Sequence, residues 1–453
     1  MLFERFESKG LAHYSYLIGD EGEAAVIDPR RDCGQYLEKA TVNGLRIAYV
    51  LETHRNEDYV IGSMELAAKT GAVIWHADEP LEYKYGKPAS DGQTWKVGRL
   101  SLRAIHSPGH TPGSMSYLLL DPDGAPWMLF TGDALFAGDV GRVDLLGMDK
   151  AEQMAGLLHE TLYNKLLPLG DGIIVHPAHG PGSVCGTDIA ERSWTTIGLE
   201  RKLNPKLNFA DRDEFISNVA RELERPPYFL RMEKWNLEGA PPLDSLPVPD
   251  PLTPEEFERK AAEALVLDTR MELGFAAAHV PGSLSIWLDG LPSFAGWFLS
   301  YDTPILLVNE TDDPADAVVH LRRLGFDNIA GFLAGGILKW HMEGKQSASI
   351  HTITASEACS RLDLEENLFV LDVRSEHELE EKGRIRNARH IHLTGLPERL
   401  DEVPKDRTVY LFCGSDLRSM SAASILKRSG WTDLTVVLGG LTGWKSNKCP
   451  IEK

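Results

Sequence analysis

Glu52-Thr53-His54-Arg55-Asn56-Glu57-Asp58-Tyr59 decides how the first half of this chain folds and which chemistry it can carry. The run before it, Ala48-Tyr49-Val50-Leu51, reads as a buried strand, so His54 and Asp58 stand just past a strand end. A single His in such a place is more often a satisfied core or surface residue than a metal ligand. Here it has company. Further on come His106-Ser107-Pro108-Gly109-His110, then Thr131-Gly132-Asp133, then His176-Pro177-Ala178-His179-Gly180. Strand-like runs precede the Asp133 and His176 motifs, at Met128 to Gly132 and Gly172 to His176, and another covers Ala24 to Asp28. Helical patterns lie between, over Asp58 to Lys69 and Lys150 to Leu167. Strands that lead into His and Asp residues predict a layered sheet with a site at the strand ends.

In this order the four motifs resemble the metallo-β-lactamase superfamily, whose signature is T-H-x-H-x-D-H. Asn56 stands where the second His of that signature belongs, and Tyr59 where the third belongs. Two further stretches, Gly141-Arg142-Val143-Asp144 and Thr195 to Lys202 with Asn204-Pro205, resemble the persulfide dioxygenase branch. The resemblance implies an αββα sandwich. It also implies one Fe(II) per chain held by His54, His110 and Asp133, with zinc as the alternative metal. Asp58 and His179 would orient those ligands by hydrogen bonds. Asn56 would alter how water or substrate is held. Tyr59 would either donate a hydrogen bond near the metal or pack, and Arg142 would bind substrate. Independently of the family, a neutral Asn amide is a poor zinc ligand. Two His and one carboxylate leave three octahedral positions open, the pattern of non-haem iron oxygenases.

A Pro-rich stretch, Gly239 to Pro251, reads as a semi-rigid linker. After it a unit of about 100 residues occurs twice. Each copy has a Thr-led helix, a strand ending in acidic-x-Arg (Asp268-Thr269-Arg270; Asp372-Val373-Arg374) and a second buried strand. Each closes on Gly-Gly-x-x-x-Trp, with Gly335, Gly336 and Trp340 in one and Gly439, Gly440 and Trp444 in the other. Alternating strands and helices predict α/β domains with parallel sheets. The expected division is 1–235, a linker 236–251, and repeats at 252–347 and 348–453.

The second copy carries Cys413-Gly414-Ser415-Asp416-Leu417-Arg418 between a strand and a helix. A thiol there gains from the helix dipole, from backbone N–H groups and from Arg418, all favouring thiolate. Asp416 opposes this if its carboxylate points inward. The motif resembles the rhodanese active-site loop, which makes Cys413 and Arg418 the expected catalytic pair. The C-x4-R spacing is one residue shorter than in related phosphatases and suits a sulfur atom over a phosphate. The first copy has Asn309-Glu310-Thr311-Asp312-Asp313 instead and no thiol, so it resembles the inactive rhodanese-like domains. Trp287, Phe294, Trp297 and Phe298 in that copy read as packing residues.

Composition sets the class. The chain has 453 residues, 43% hydrophobic and 25% charged, with net charge -20. Such a charge argues against nucleic acid as a partner, and no apolar run is long enough for a membrane span. The N-terminus lacks a signal-peptide pattern, so the expected location is cytoplasmic. Five cysteines with no C-x-x-C indicate neither a structural zinc nor a disulfide framework. The combined resemblance implies a fused persulfide dioxygenase and sulfurtransferase. It would convert a low-molecular-weight persulfide such as glutathione persulfide, with O2 and water, to thiol and sulfite. Sulfur carried on Cys413 could convert sulfite to thiosulfate. Members of the branch are commonly dimers or tetramers, so a homo-oligomer is expected. Two other readings stay open: a zinc thioester hydrolase of the glyoxalase II type, and a sulfur carrier with a degenerate metal site.

Overall fold

The computed structural model describes residues 1–78, 81–186, 188–364 and 368–452. By contact density the chain forms two units, residues 1–246 with 322–325, and residues 247–321 with 326–452.

In the first unit two six-stranded sheets lie face to face. One runs in chain order from Leu2–Ser8 to Lys87–Pro88. The other has Thr195–Thr196 and Ile174–Pro177 beside Pro126–Gly132, followed by Met115–Leu120, Leu100–His106 and Thr94–Val97. Alternation along single strands builds the layers. Ala25 and Ile27 face the inter-sheet core with Tyr16, Tyr117 and Phe130. Ala24 and Val26 face the opposite way, onto Tyr36, Ala40 and Leu66 of the helices Gly34–Val42 and Ser63–Thr70. Leu118 and Leu129 likewise turn outward, toward Met148–Glu160 and Arg212–Val219. The expected αββα sandwich is therefore present.

The helix expected from Asp58 begins only at Ser63. Asn236 explains the delay. Its side chain donates to the carbonyls of Asn56 (2.6 Å) and Tyr59 (2.8 Å) and accepts from the N–H of Ile61 (2.9 Å). Backbone groups that a helix would use are thus taken, and residues 56–61 stay an irregular loop at the strand end. The helix Phe229–Glu238 runs past the expected boundary at 235. The Pro-rich stretch after it does not hang free: the N–H of Leu243 bonds Glu65 (2.9 Å), and Pro251–Leu252 pairs in parallel with Phe332–Leu333.

The second unit holds the two repeats, each an all-parallel five-stranded sheet with one strand order. The first has Pro251–Leu252, Ile329–Leu333, Ile305–Val308, Leu265–Asp268 and Leu284–Ser285. The second has His351–Thr354, Leu434–Leu438, Val409–Phe412, Phe369–Asp372 and Arg389–His390. Trp340 and Trp444 are the buried closers of the two copies, their indole N–H groups bonded to the carbonyls of Gln346 and Pro450. Trp287, Phe294 and Phe298 pack on one another along the helix Leu291–Phe298, as expected.

One expectation is overturned here. Cys359 and Cys449 form a disulfide, Cα to Cα 6.0 Å, although 90 residues separate them. Spacing gave no hint because the fold makes the pair, returning the chain end to the helix Ala355–Leu364. Cys33, Cys185 and Cys413 are free and buried. Closing so long a loop restricts the unfolded chain, so Cys449→Ser should lower the stability of the second unit by about 2–4 kcal/mol. Chemical denaturation with and without reductant checks this; a reductant-insensitive midpoint would mean that the bridge is not formed in solution.

Candidate metal centre and thiol site

The first site lies at the ends of the inner strands. His54 follows Arg46–Leu51, His110 follows Leu100–His106, and Asp133 ends Pro126–Gly132. All three are buried. Asp133 Oδ2 is 3.7 Å from His54 Nε2 and 3.4 Å from His110 Nε2. None of these three atoms has a hydrogen-bond partner. Their outward sides are all engaged. His54 Nδ1 donates to Thr53 Oγ1 (2.8 Å), whose hydroxyl donates to Asp28 (2.7 Å). His110 Nδ1 donates to the carbonyl of Arg142 (2.9 Å). Each ring is thereby fixed in the tautomer that turns an Nε2 lone pair to the centre. Gly141 lets the chain pass closely here, since a Cβ at that position would lie 2.0 Å from the carbonyl oxygen of Asp133.

His179 bridges two carboxylates, with Nδ1 2.8 Å from Asp133 and Nε2 2.9 Å from Asp58. Burial opposes the imidazolium, but Asp133 and Asp58 raise the His179 pKa well above its ordinary value. Burial likewise opposes the Asp133 carboxylate. His179, His54 and His110 more than offset it and hold the group below the usual carboxylate range. The amide nitrogen of Asn56 lies 3.2 Å from the carbonyl of His54, and its Oδ1 is buried with no hydrogen-bond partner. Tyr59 packs: its ring lies 3.9 Å from that of His13, and its hydroxyl meets the carbonyl of Asp28 at 3.4 Å. The buried guanidinium of Arg142 is tied to Asp144 (2.7 Å) and to the carbonyls of Val184, Leu223 and Glu224, and so braces the loop.

Sequence reasoning missed two residues. Glu57 occupies a variable position of the motif, yet its carboxylate lies within 4.8 Å of the ligand atoms of both His54 and His110. Cys185 comes equally close to Asp58 and His179, and to His110 and Asp133. No spacing flags Cys185. For Glu57 the only signal was an acid between Asn56 and Asp58.

The second site is the Cys413 loop. Cys413 is fully buried at the end of Val409–Phe412, before the helix Leu417–Arg428. The turn at Gly439-Gly440 shapes it. Leu441 N–H donates to the carbonyl of Cys413 (2.9 Å), and Gly439 N–H donates to Asp416 (3.1 Å). Asp416 is therefore aimed at the turn and away from the thiol. Gly440 has φ +44°, and a Cβ there would sit 2.4 Å from the carbonyl oxygen of Cys413. Arg418 forms a two-point ion pair with Glu378 (2.6 and 2.7 Å), which offsets part of its charge. Burial pushes the Cys413 thiol up, against the opposing pull of Ser419, Arg418 and the backbone of Ser415. In the first copy Asn309 accepts from Thr269 (2.9 Å).

Two family models match this chain, the metallo-beta-lactamase superfamily over residues 9–179 and the rhodanese-like domain over 253–343 and 354–447. A hydroxyacylglutathione hydrolase of Haemophilus influenzae is 30% identical over 215 residues, 43% of this chain and 92% of that protein. A mitochondrial persulfide dioxygenase of Bos taurus is 30% identical over 231 residues, 48% of this chain and 79% of that protein. The crystal structure of a metallo-beta-lactamase from Staphylococcus aureus subsp. aureus COL superposes with TM-score 0.66 at 30% identity, covering 74% of this chain and 99% of that one. Among the described residues no helix is long and apolar enough to cross a membrane.

The raised thiol predicts that alkylation of Cys413 keeps accelerating with pH past the range of an ordinary thiol and does not level off at neutral pH. In Glu378→Gln the helix cap is retained, since Gln serves a capping box as Glu does, while Arg418 is released. Its alkylation profile should move to lower pH. An identical profile in the variant would show that the Arg418 charge does not reach the sulfur.

Proposed function

Because the chain belongs to the metallo-beta-lactamase superfamily and carries two rhodanese-like domains, we propose that it is a persulfide dioxygenase fused to a sulfurtransferase. The observation that carries this reading is the convergence of unpartnered His54 Nε2, His110 Nε2 and Asp133 Oδ2. Buried acceptor atoms facing one another suit a cation. Tyr59 is meanwhile packed on His13, and the amide nitrogen of Asn56 is engaged by the His54 carbonyl. His54, His110 and Asp133 would hold the ion, and iron bound there would supply open positions and redox chemistry for O2 and a sulfur substrate. The protein's own part is to fix the donors. Thr53 and the Arg142 carbonyl orient the histidines, and the His179 imidazolium holds Asp133. The net reaction is persulfide plus O2 and water giving thiol and sulfite.

At the second site the Cys413 thiolate attacks the outer sulfur of a persulfide R–S–SH. A bond forms between the cysteine sulfur and that outer sulfur as the bond to the R–S sulfur breaks. R–SH leaves with the proton, and a cysteine persulfide anion remains. Sulfite attacking the terminal sulfur would release thiosulfate and restore the thiolate. The carbonyls at Cys413 and Gly414 are held by the Gly440 turn, which leaves the loop N–H groups for the sulfur.

A second reading has its own support. The hydrolase relative is as similar as the dioxygenase, and Asp58, His179 and Cys185 form a further donor group beside the first. A two-zinc thioester hydrolase would use both.

Metal analysis of the full-length protein separates the two. We expect one iron per chain and O2 uptake with glutathione persulfide, with both lost in His110→Ala, while Cys413→Ser loses thiosulfate formation alone. Two zinc ions with thioester hydrolysis would select the second reading. An iron-replete protein that takes up no O2 would remove the first.

A further inference from the structure

Glu57 is wholly buried, and its two oxygens have different surroundings. Oε1 accepts from Arg55 (3.0 Å), and Arg55 is also paired with Glu233 (3.3 Å). Oε2 has no partner and lies 3.7 Å from His110 Nε2. It belongs to the cluster in which the ligand atoms of His54, Glu57 and His110 are within 4.8 Å of one another. With both Nδ1 atoms donating outward, His54 Nε2 and His110 Nε2 offer lone pairs inward. Asp133 Oδ2 and Glu57 Oε2 offer nothing but lone pairs. With both Nε2 atoms unprotonated these groups present only acceptors to one another, an arrangement that is repulsive until a proton or a metal ion enters it.

We propose that Glu57 is a fourth protein ligand of the metal centre, which makes it a two-histidine, two-carboxylate site. The inference rests on the metal reading above and goes beyond it in ligand number and charge. Two carboxylates cancel the charge of a divalent ion, where one leaves it cationic. Two octahedral positions remain for reactants where the three-ligand set leaves three. The local chain accounts for the exchange. Asn236 ties the carbonyls of Asn56 and Tyr59 outward, and Asn56 bonds back to the His54 carbonyl. The carboxylate between them turns inward, and Arg55 fixes its rotation.

The test uses the full chain stripped of metal and titrated with Co(II), whose visible absorption reports its ligand set. Wild type should bind one ion, and His110→Ala should lose it. Glu57→Gln should bind at least tenfold more weakly and show a shifted visible band. Glu57→Asp keeps a charge beside Arg55 but withdraws the oxygen by one methylene, and should shift the band in the same way. Affinity and band unchanged in Glu57→Gln overturn the proposal. So does weaker binding with an unchanged band, which would make Glu57 an outer hydrogen-bond partner. Thermal unfolding and Cys413 alkylation, compared with wild type, separate a ligand effect from a folding defect, with Glu57→Asp as the milder variant. If the folded wild type binds no ion, or if His110→Ala binds as wild type does, the parent reading fails, and that result is distinct from a failure confined to the Glu57 variants.

Discussion

The first site depends on one buried carboxylate held among histidines. Asp133 has lost its water, a cost that only nearby positive charge or donors can offset. His179 supplies both from one side, and it is kept protonated by having a second carboxylate, Asp58, on its other nitrogen. The remaining oxygen of Asp133 is left for the centre. Asp58 thus matters through His179, and not as a direct neighbour of His54 or His110. The order of influence runs from Asp58 to His179 to Asp133, and each member is buried. Removing any one of them leaves an unpaired polar group in the interior, which is why such chains are sensitive to conservative changes.

Much of this was legible in the sequence because it is built on strand ends. Period-2 alternation and buried apolar runs locate the strands, and His54, His110, Asp133 and His179 all fall just beyond or at their ends. The duplicated α/β pattern was legible for the same reason, since Asp-x-Arg and Gly-Gly-x-x-x-Trp recur in register. What escaped is what long-range contacts decide. Whether residues 58–62 continue as helix or loop depends on Asn236, more than 170 positions away. The partnership of Cys359 with Cys449 and the approach of Cys185 to Asp58 have no local signature either. Arg418 looked like a charge available to the thiol because the sequence does not say that Glu378 reaches it.

The second site shows how a loop can be shaped from outside. Its thiol is buried, and its arginine is shared with Glu378. The N–H groups of Leu441 and Thr442, just past the Gly439-Gly440 turn, donate to the loop's carbonyls, and Asp416 accepts from the Gly439 N–H.

The duplication separates scaffold from chemistry within one molecule. Arg270 grips Asp268 and the carbonyl of Ala278 in the first copy. Arg374 grips Asp372 and the carbonyl of Gly383 in the second. The same buried pair thus stands in a copy with no thiol. Its retention there argues that the pair holds the strand end to the following helix and has no part in moving sulfur. The Gly-Gly turn separates the copies in the opposite sense. Gly440 is pressed against the Cys413 loop, while the nearest loop atom to a Cβ on Gly336 would be 3.8 Å away. Once the thiol loop is gone the close contact goes with it, though both glycines keep positive φ. The tight approach of Gly440 is therefore a property of the cysteine-bearing loop, and the arginine pair is a property of the fold.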